Sequence, residues 1–344
     1  MNQSSYIEIS KSSYKQNLEF IRNLIGEDCR FASVVKGNAY GHGIETFVPM
    51  AESMGIDYFA VFDHLEAARV KKVCTKAPDI LIMGYIDPEA MEWVIQNGIE
   101  FFVFDFERLD SAVKLAKKCG KKANIHLELE TGMNRTGFKK EFFKDIFKII
   151  SRDKDHIQFK GLCTHLAGAE SITNHYRVTN QIRTFNKYVS RFHKMGFNPE
   201  YIHAACSAGT INYPKARYNL VRIGILQYGF WPSRETLVQF IGKKTDKHDP
   251  LTRIITWKTK IMDTKQVRSG EFVGYGTTHL TEYDIMIASV PVGYAHGYSR
   301  TLSNTGRVLV NGQRVSVIGL VNMNMMLVDV TSVPETKKGD EVVI

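Results

Sequence analysis

The sequence predicts an α/β fold: an N-terminal (β/α)8 barrel of the TIM type followed by a C-terminal all-β domain. Three observations carry this. Eight short apolar runs alternate with helical patterns, chemically versatile residues fall where those runs end, and helical periodicity gives way to short β-rich runs after about Phe240.

The eight runs are Phe31–Val35, Tyr58–Phe62, Asp79–Met83, Glu100–Asp105, Asn124–Leu129, Gln158–His165, Glu200–Ala205 and Asn219–Ile223. Helices are expected between them because their ends can be read. Asp87-Pro88-Glu89 has a capping residue followed by proline in the first turn, and Gly98 closes that helix. Leu109, Ala112, Val113 and Ala116 share one helical face, with Gly120 after it. Strict alternation of strand and helix over about 200 residues suits a closed barrel better than an open doubly wound sheet, although periodicity alone leaves closure undecided.

A barrel gathers its working groups at the carboxyl ends of its strands. Lys36 follows the first run, Arg135 lies in the loop after the fifth, His165 ends the sixth, Ser207 follows the seventh, and Arg222-Ile223-Gly224 ends the eighth. FASVVKGNAYGHG is the sharpest case: an ammonium stands directly after a buried strand, with three glycines in the next seven positions. Taken alone, such a lysine also fits a surface strand cap.

The barrel is expected over residues 10–240 and the β-domain over 241–344, with residues 1–9 added as a strand because Tyr6-Ile7-Glu8-Ile9 alternates. Within the second domain, Thr252–Met262, Asp284–Pro291, Arg307–Val310, Arg314–Ile318 and Met325–Val330 read as strands, and Asn311-Gly312 as a tight hairpin turn.

Composition limits the function. The 344 residues, 44% hydrophobic and 24% charged, fit a globular enzyme-sized protein, and neither a signal peptide nor an apolar run long enough to span a bilayer is evident. A cytoplasmic location without membrane association is expected. The five cysteines are widely spaced and lack metal-site pairing, so they read as free thiols with no metal expected. The formal charge of +9 is spread over scattered pairs such as Lys71-Lys72 and Lys117-Lys118, which read as a solvated surface and not as a nucleic-acid footprint.

VVKGNAYGHG resembles the cofactor-binding signature of the alanine racemase family, and ETGMNRTGF, THLAGAE, VRIGILQYG and VPVGYAHGYSR follow in the family's order and spacing. The resemblance implies a homodimer with shared active sites that interconverts L- and D-alanine on pyridoxal 5'-phosphate. Such an enzyme would supply D-alanine as a peptidoglycan precursor.

By resemblance, Lys36 carries the cofactor and acts as one base, and Tyr294 of the partner subunit is the other, since inversion at one carbon needs a base on each face. Tyr40, Ser207 and the main-chain N–H groups of Gly224 and Ile225 match positions around the cofactor phosphate. Arg222 matches an arginine facing the pyridine nitrogen. It keeps its proton and so weakens the electron sink. His165 matches a histidine hydrogen-bonded to that arginine and to the catalytic tyrosine. Arg135 matches a residue holding both the cofactor phenolic oxygen and the substrate carboxylate, and Met323 a substrate contact. Glu128 stands where many members have a carbamylated lysine, and could supply that negative charge directly; the lesser alternative is an exposed strand acid.

The chain departs from the family pattern at His296, usually aspartate, and at Asn324, often acidic. It also stops at GDEVVI, before the segment where a further phosphate-binding tyrosine is placed. Serine or broad-specificity racemisation remains open on this basis. A decarboxylase of the same fold would normally have cysteine where this chain has Tyr294, and a non-catalytic cofactor-binding protein would lack the β-domain.

Overall fold

The computed structural model describes residues 4–242 and 244–344. The chain divides into two compact units, Lys11–Arg253 and a second one formed by the segment up to Ser10 together with Ile254–Ile344. The first strand, β1 (Ser5–Ile9), belongs to the second unit.

The strands of the first unit are β2 (Arg30–Val34), β3 (Tyr58–Val61), β4 (Asp79–Ile82), β5 (Glu100–Val103), β6 (Ala123–Glu128), β7 (Ile157–Cys163), β8 (Tyr201–His203) and β9 (Leu220–Ile223). They form one parallel sheet in the order β8-β7-β6-β5-β4-β3-β2-β9. A parallel bridge between Cys206 and Arg222 joins the two ends, with the Arg222 N–H donating to the Ala205 carbonyl at 3.0 Å. This closure decides for the barrel over the open sheet.

Period-two alternation fills the interior. Ala32, Val34, Tyr58, Ala60, Leu81, Phe102, Cys163, Tyr201 and Leu220 form one buried cluster. Helices cover the outside with single apolar faces: Phe143–Arg152 buries Phe143, Ile146, Phe147 and Ile150, spaced as one helical stripe. Phe106–Cys119 buries the four residues its sequence pattern marks and ends on Gly120 at φ 62°. Asp63 and Asp105 cap the helices after β3 and β5, accepting from Glu66 N–H at 2.9 Å and Arg108 N–H at 2.8 Å. These caps turn the chain sharply at the carboxyl ends of the strands.

The second unit adds β10 (Ile255–Lys260), β11 (Asp263–Val267), β12 (Ile285–Val290), β13 (Arg307–Val310), β14 (Gln313–Ile318), β15 (Met326–Asp329) and β16 (Glu341–Val343). Its sheet runs β1-β10-β16-β13-β14-β15-β12-β11, with every pair antiparallel. A valine-rich core that includes Val308, Val310, Val315, Val317, Val328 and Val342 holds it together. Asn311 and Gly312 take φ 49° and 78°, both positive as a tight hairpin turn requires. The polar strand β11 and the short β16 are additions to the pattern read from the sequence.

Candidate active site

Lys36 is placed by an unusual piece of backbone. Gly37, Asn38, Ala39 and Tyr40 all take left-handed conformations, with φ of 62°, 54°, 54° and 55°. For residues bearing a Cβ this costs roughly 1–2 kcal/mol each. Side chains hold the turn: the Asn38 N–H donates to Glu66 Oε1 at 3.0 Å, while Asn38 Oδ1 accepts from Arg69 Nη2 at 2.6 Å and from the Ile44 N–H at 3.2 Å. Arg69 is itself fixed by Glu45 at 2.7 Å. Strain kept in place by dedicated contacts marks a functional segment.

Lys36 and Tyr40 open onto a cavity of about 730 Å³. The same cavity is lined by Glu128, Arg135, His165, Ser207, Arg222, Gly224 and Ile225, so all nine barrel residues singled out from the sequence meet there. Val34, Met83, Phe102 and Phe104 supply an apolar wall. Tyr294 and Met323 belong to the β-unit, where they are 41% and 55% exposed.

The loop carrying Arg135 is shaped by its own motif. The Glu130 carboxylate accepts from the N–H groups of Gly132 and of Asn134, the latter at 2.8 Å. Gly137 has φ 112°, and a Cβ there would lie 2.8 Å from the Glu130 nitrogen. The glycines of ETGMNRTGF therefore let the loop fold back on the strand end.

Cations dominate the cavity. Burial, and then the charges of Arg135 and Arg222, lower the pKa of the Lys36 amine. Burial pushes His165 down to about 3, with Arg222, Arg135 and Lys36 adding to the effect, so this imidazole is neutral. Glu128 is only 4% exposed, which removes the exposed-acid reading. Burial raises its pKa, opposed by a 2.7 Å hydrogen bond from Thr136 Oγ1 and by the charges of Arg135 and Arg222. Among the described residues no ion pair within 4.0 Å joins Glu128 to Arg135. Glu128 thus influences Arg135 through the field and not by contact.

Two expected contacts are arranged differently. Arg222 has His203 as its imidazole partner and not His165: Nη1 meets His203 Nδ1, while Nη2 donates to the carbonyls of Thr164 at 2.9 Å and Ala204 at 3.2 Å. His165 is one residue beyond Thr164 and lines the cavity instead. The Gly224 N–H donates to Ser207 Oγ at 3.1 Å, and the Leu226 N–H points at the same oxygen at 3.4 Å. The absent side chain of Gly224 also has a use, since a Cβ there would stand 2.2 Å from the Tyr40 hydroxyl.

Sequence reasoning missed Arg108, a fourth cation of the lining, and His203 behind Arg222. His203 carries a signal that could have found it. It has the inward parity of Tyr201 on β8, and a polar residue at an inward barrel position requires a partner.

A parallel barrel with a lysine amine of lowered pKa among arginines in one cavity at its strand ends has the form of a barrel enzyme's active site. Family models for the alanine racemase N-terminal and C-terminal domains match residues 9–232 and 254–344. An alanine racemase of Leptospira interrogans is 34% identical over 345 residues, covering 99% of this chain and 86% of the relative. The solved alanine racemase of Clostridium difficile 630 superposes with a TM-score of 0.90 at 30% identity, covering 100% of this chain and 87% of that one. The Bacillus anthracis alanine racemase with bound L-Ala-P gives 0.86 at 29% identity, with 100% and 86% covered. The chain belongs to the alanine racemase family.

Proposed function

We propose that this chain interconverts L- and D-alanine with pyridoxal 5'-phosphate held at the barrel mouth, as a cytoplasmic homodimer that supplies D-alanine as a peptidoglycan precursor. The observation that carries the reading is the placing of Lys36: a strained, clamped turn holds an amine with lowered proton affinity beside Arg135 and Arg222. No helix among the described residues is long and apolar enough to cross a membrane.

The donor set fits the cofactor. Arg222 is 4% exposed and bonds the barrel wall through Nη1 and Nη2, while its Nε has no protein hydrogen-bond partner among the described residues. That nitrogen suits a ring acceptor. Tyr40, reaching across Gly224, with Ser207 and the main chain at Gly224 and Ile225, makes a hydroxyl-rich cradle suited to a phosphate. When bound, the cofactor withdraws electrons from an amino acid attached to it and so acidifies the α-proton.

Lys36 holds the cofactor through its amine and, once released, removes or returns the α-proton on one face. Arg222 donates a hydrogen bond without giving up its proton, which limits charge delocalisation and side reactions. Arg135 fixes the substrate carboxylate and the phenolic oxygen, with Glu128 moderating the cationic field around it. His165, neutral, packs the wall beside them. Tyr294 of the partner subunit serves the opposite face, and Met323 of the partner subunit borders the substrate entrance.

The test is chiral analysis of products from pure L-alanine. Lys36→Ala and Tyr294→Phe homodimers should each be nearly inactive, and after random subunit exchange about a quarter of wild-type activity should return, since half the dimers are mixed and each mixed dimer keeps one intact site. Absence of D-alanine from the wild type contradicts the activity, and absence of recovery despite proven exchange contradicts the shared site.

A further inference from the structure

The imidazole behind Arg222 is the first link of a buried polar column that runs down the barrel interior. His203 Nε2 meets His126 Nδ1 at 2.8 Å, and His126 Nε2 meets Glu100 Oε2 at 2.8 Å. His203, His126, Glu100 and Arg222 are 0%, 0%, 1% and 4% exposed. The Tyr58 hydroxyl also donates to Glu100 Oε2, and Lys160 Nζ stands 3.8 Å from Oε1, which has no hydrogen-bond partner among the described residues. Tyr201 stacks on His126 with its ring 6.1 Å away and 7° from parallel. The column begins at the first residue of β5 and ends at the cavity.

A missing side chain makes room for it. On β7, which neighbours β6, a Cβ at Gly161 would lie 1.9 Å from His126 Nδ1, the atom that meets His203. Any larger residue at that position would push the imidazole out of the column.

We propose that Glu100 is a positioning residue for Arg222: as the terminal acceptor it fixes the protons of His126 and His203 on their Nε2 atoms, leaving His203 Nδ1 bare to accept from the guanidinium. The donor inventory leaves one arrangement. Arg222 can only donate, so His203 Nδ1 must accept, and the single proton of a neutral His203 then sits on Nε2. His126 Nδ1 must accept that proton, which puts the His126 proton on Nε2, directed at Glu100. A proton on either Nδ1 would set two donors face to face in a site without water access. Burial, then Arg222 and His126, hold His203 well below the usual histidine range and so neutral. Burial opposes the charge of Glu100, yet the bonds from His126 and Tyr58 and the charge of Lys160 hold its carboxyl below the usual range.

The consequence for catalysis rests on the proposed racemase reading. A guanidinium tethered to a carboxylate through two neutral rings keeps its direction without a contacting counter-ion that would quench its field. The carbonyls of Thr164 and Ala204 hold the other terminal nitrogen, so the loss of the column should tilt Arg222 and not free it.

Histidine-ring nitrogen NMR on labelled, cofactor-free protein at neutral pH tests the proton pattern, with His126→Gln and His203→Gln used for assignment. Both rings should be neutral with the proton on Nε2. Glu100→Gln, whose amide oxygen still accepts, should retain that pattern. Glu100→Leu and Gly161→Ala should lose it, and kcat of the loaded enzyme should fall on the order of tenfold, the scale of one hydrogen bond to a charged group, while KM changes less than about twofold. A cationic ring, or His203 with its proton on Nδ1 in the wild type, would overturn the proposal; so would an unchanged pattern and kcat in both disruptive variants. If neither variant folds, the wild-type tautomers alone decide. The tautomers are read without cofactor or substrate, so this result and the racemase activity stand or fall separately.

Discussion

Of the turns that use left-handed backbone, the hairpin between β13 and β14 and the turn after β2 use it differently. The hairpin between β13 and β14 places Asn311 and Gly312 at φ 49° and 78°, the residue types that tolerate such angles best, and is supported by the pairing of Val310 with Gln313 and by a 2.9 Å bond from Asn311 Nδ2 to Asp340 Oδ2. The turn after β2 forces Ala39 and Tyr40 into the same region and needs Glu66, Arg69 and Asn38 to hold them. A connection can be left-handed at little cost. A turn that also aims Lys36 and Tyr40 into one cavity takes the residues its chemistry needs and is stabilised from outside.

Removing the working group gives the largest expected effect. Lys36→Ala should lower racemisation by more than about a thousandfold, measured by chiral chromatography, with the unfolding midpoint little changed because the turn's contacts come from Asn38 and Ala39. No single residue of the hairpin should approach that loss.

The other end of the strained turn gives a smaller effect. Gly224→Ala puts a Cβ where the Tyr40 hydroxyl lies, so Tyr40 must move. Retention of pyridoxal phosphate through dialysis, followed by visible absorbance, should weaken on the order of tenfold or more, the scale of a lost charge-assisted hydrogen bond.

Acid separates the two regions more gently. His165 has a folded-state pKa of about 3 against an ordinary value near 6.5, so the unfolded chain binds its proton first. Its contribution to stability is full above about pH 6.5 and is lost as pH falls towards 3, adding at most about 1.4 kcal/mol per pH unit to the slope. His165→Phe should flatten denaturant-derived stability against pH across that window. At the hairpin, the bond from Asn311 and the Lys337 N–H hold Asp340 below its ordinary range, so loss on acidification has the same sign there, and Asp340→Asn should change the slope less because that carboxylate is solvated.

Much of this was legible in the sequence, for stated reasons. All eight barrel strands are apolar runs at strand length, and the nine barrel residues of the site stand beside strand ends, where topology gathers them. DTKQV, the strand β11, was not legible because it lies at a sheet edge and carries one deeply buried residue, Val267. β16 has three residues, too few for a period. Glu100 was hidden as the polar first residue of the apolar strand EFFV, and His126 because it alternates with Asn124 and Glu128 in ANIHLE, a pattern that also fits a solvent-facing strand edge. Their shared inward parity becomes meaningful only once the sheet is known to close. The glycines of KGNAYGHG announced a turn, but nothing in Ala39 or Tyr40 announces a left-handed conformation, which depends on Glu66 and Arg69 from a later helix.

Left-handed strain is structural at the hairpin and functional at the lysine turn. Gly37 and Gly312 test it directly, since an added Cβ would meet nothing within 4 Å at either site and both have positive φ. Gly37→Ala and Gly312→Ala should each cost about 1–2 kcal/mol in urea unfolding. Measured on the same preparations, racemisation should fall more than about tenfold in Gly37→Ala and stay within about twofold of wild type in Gly312→Ala. Equal activity in the two variants at equal loss of stability would contradict the account.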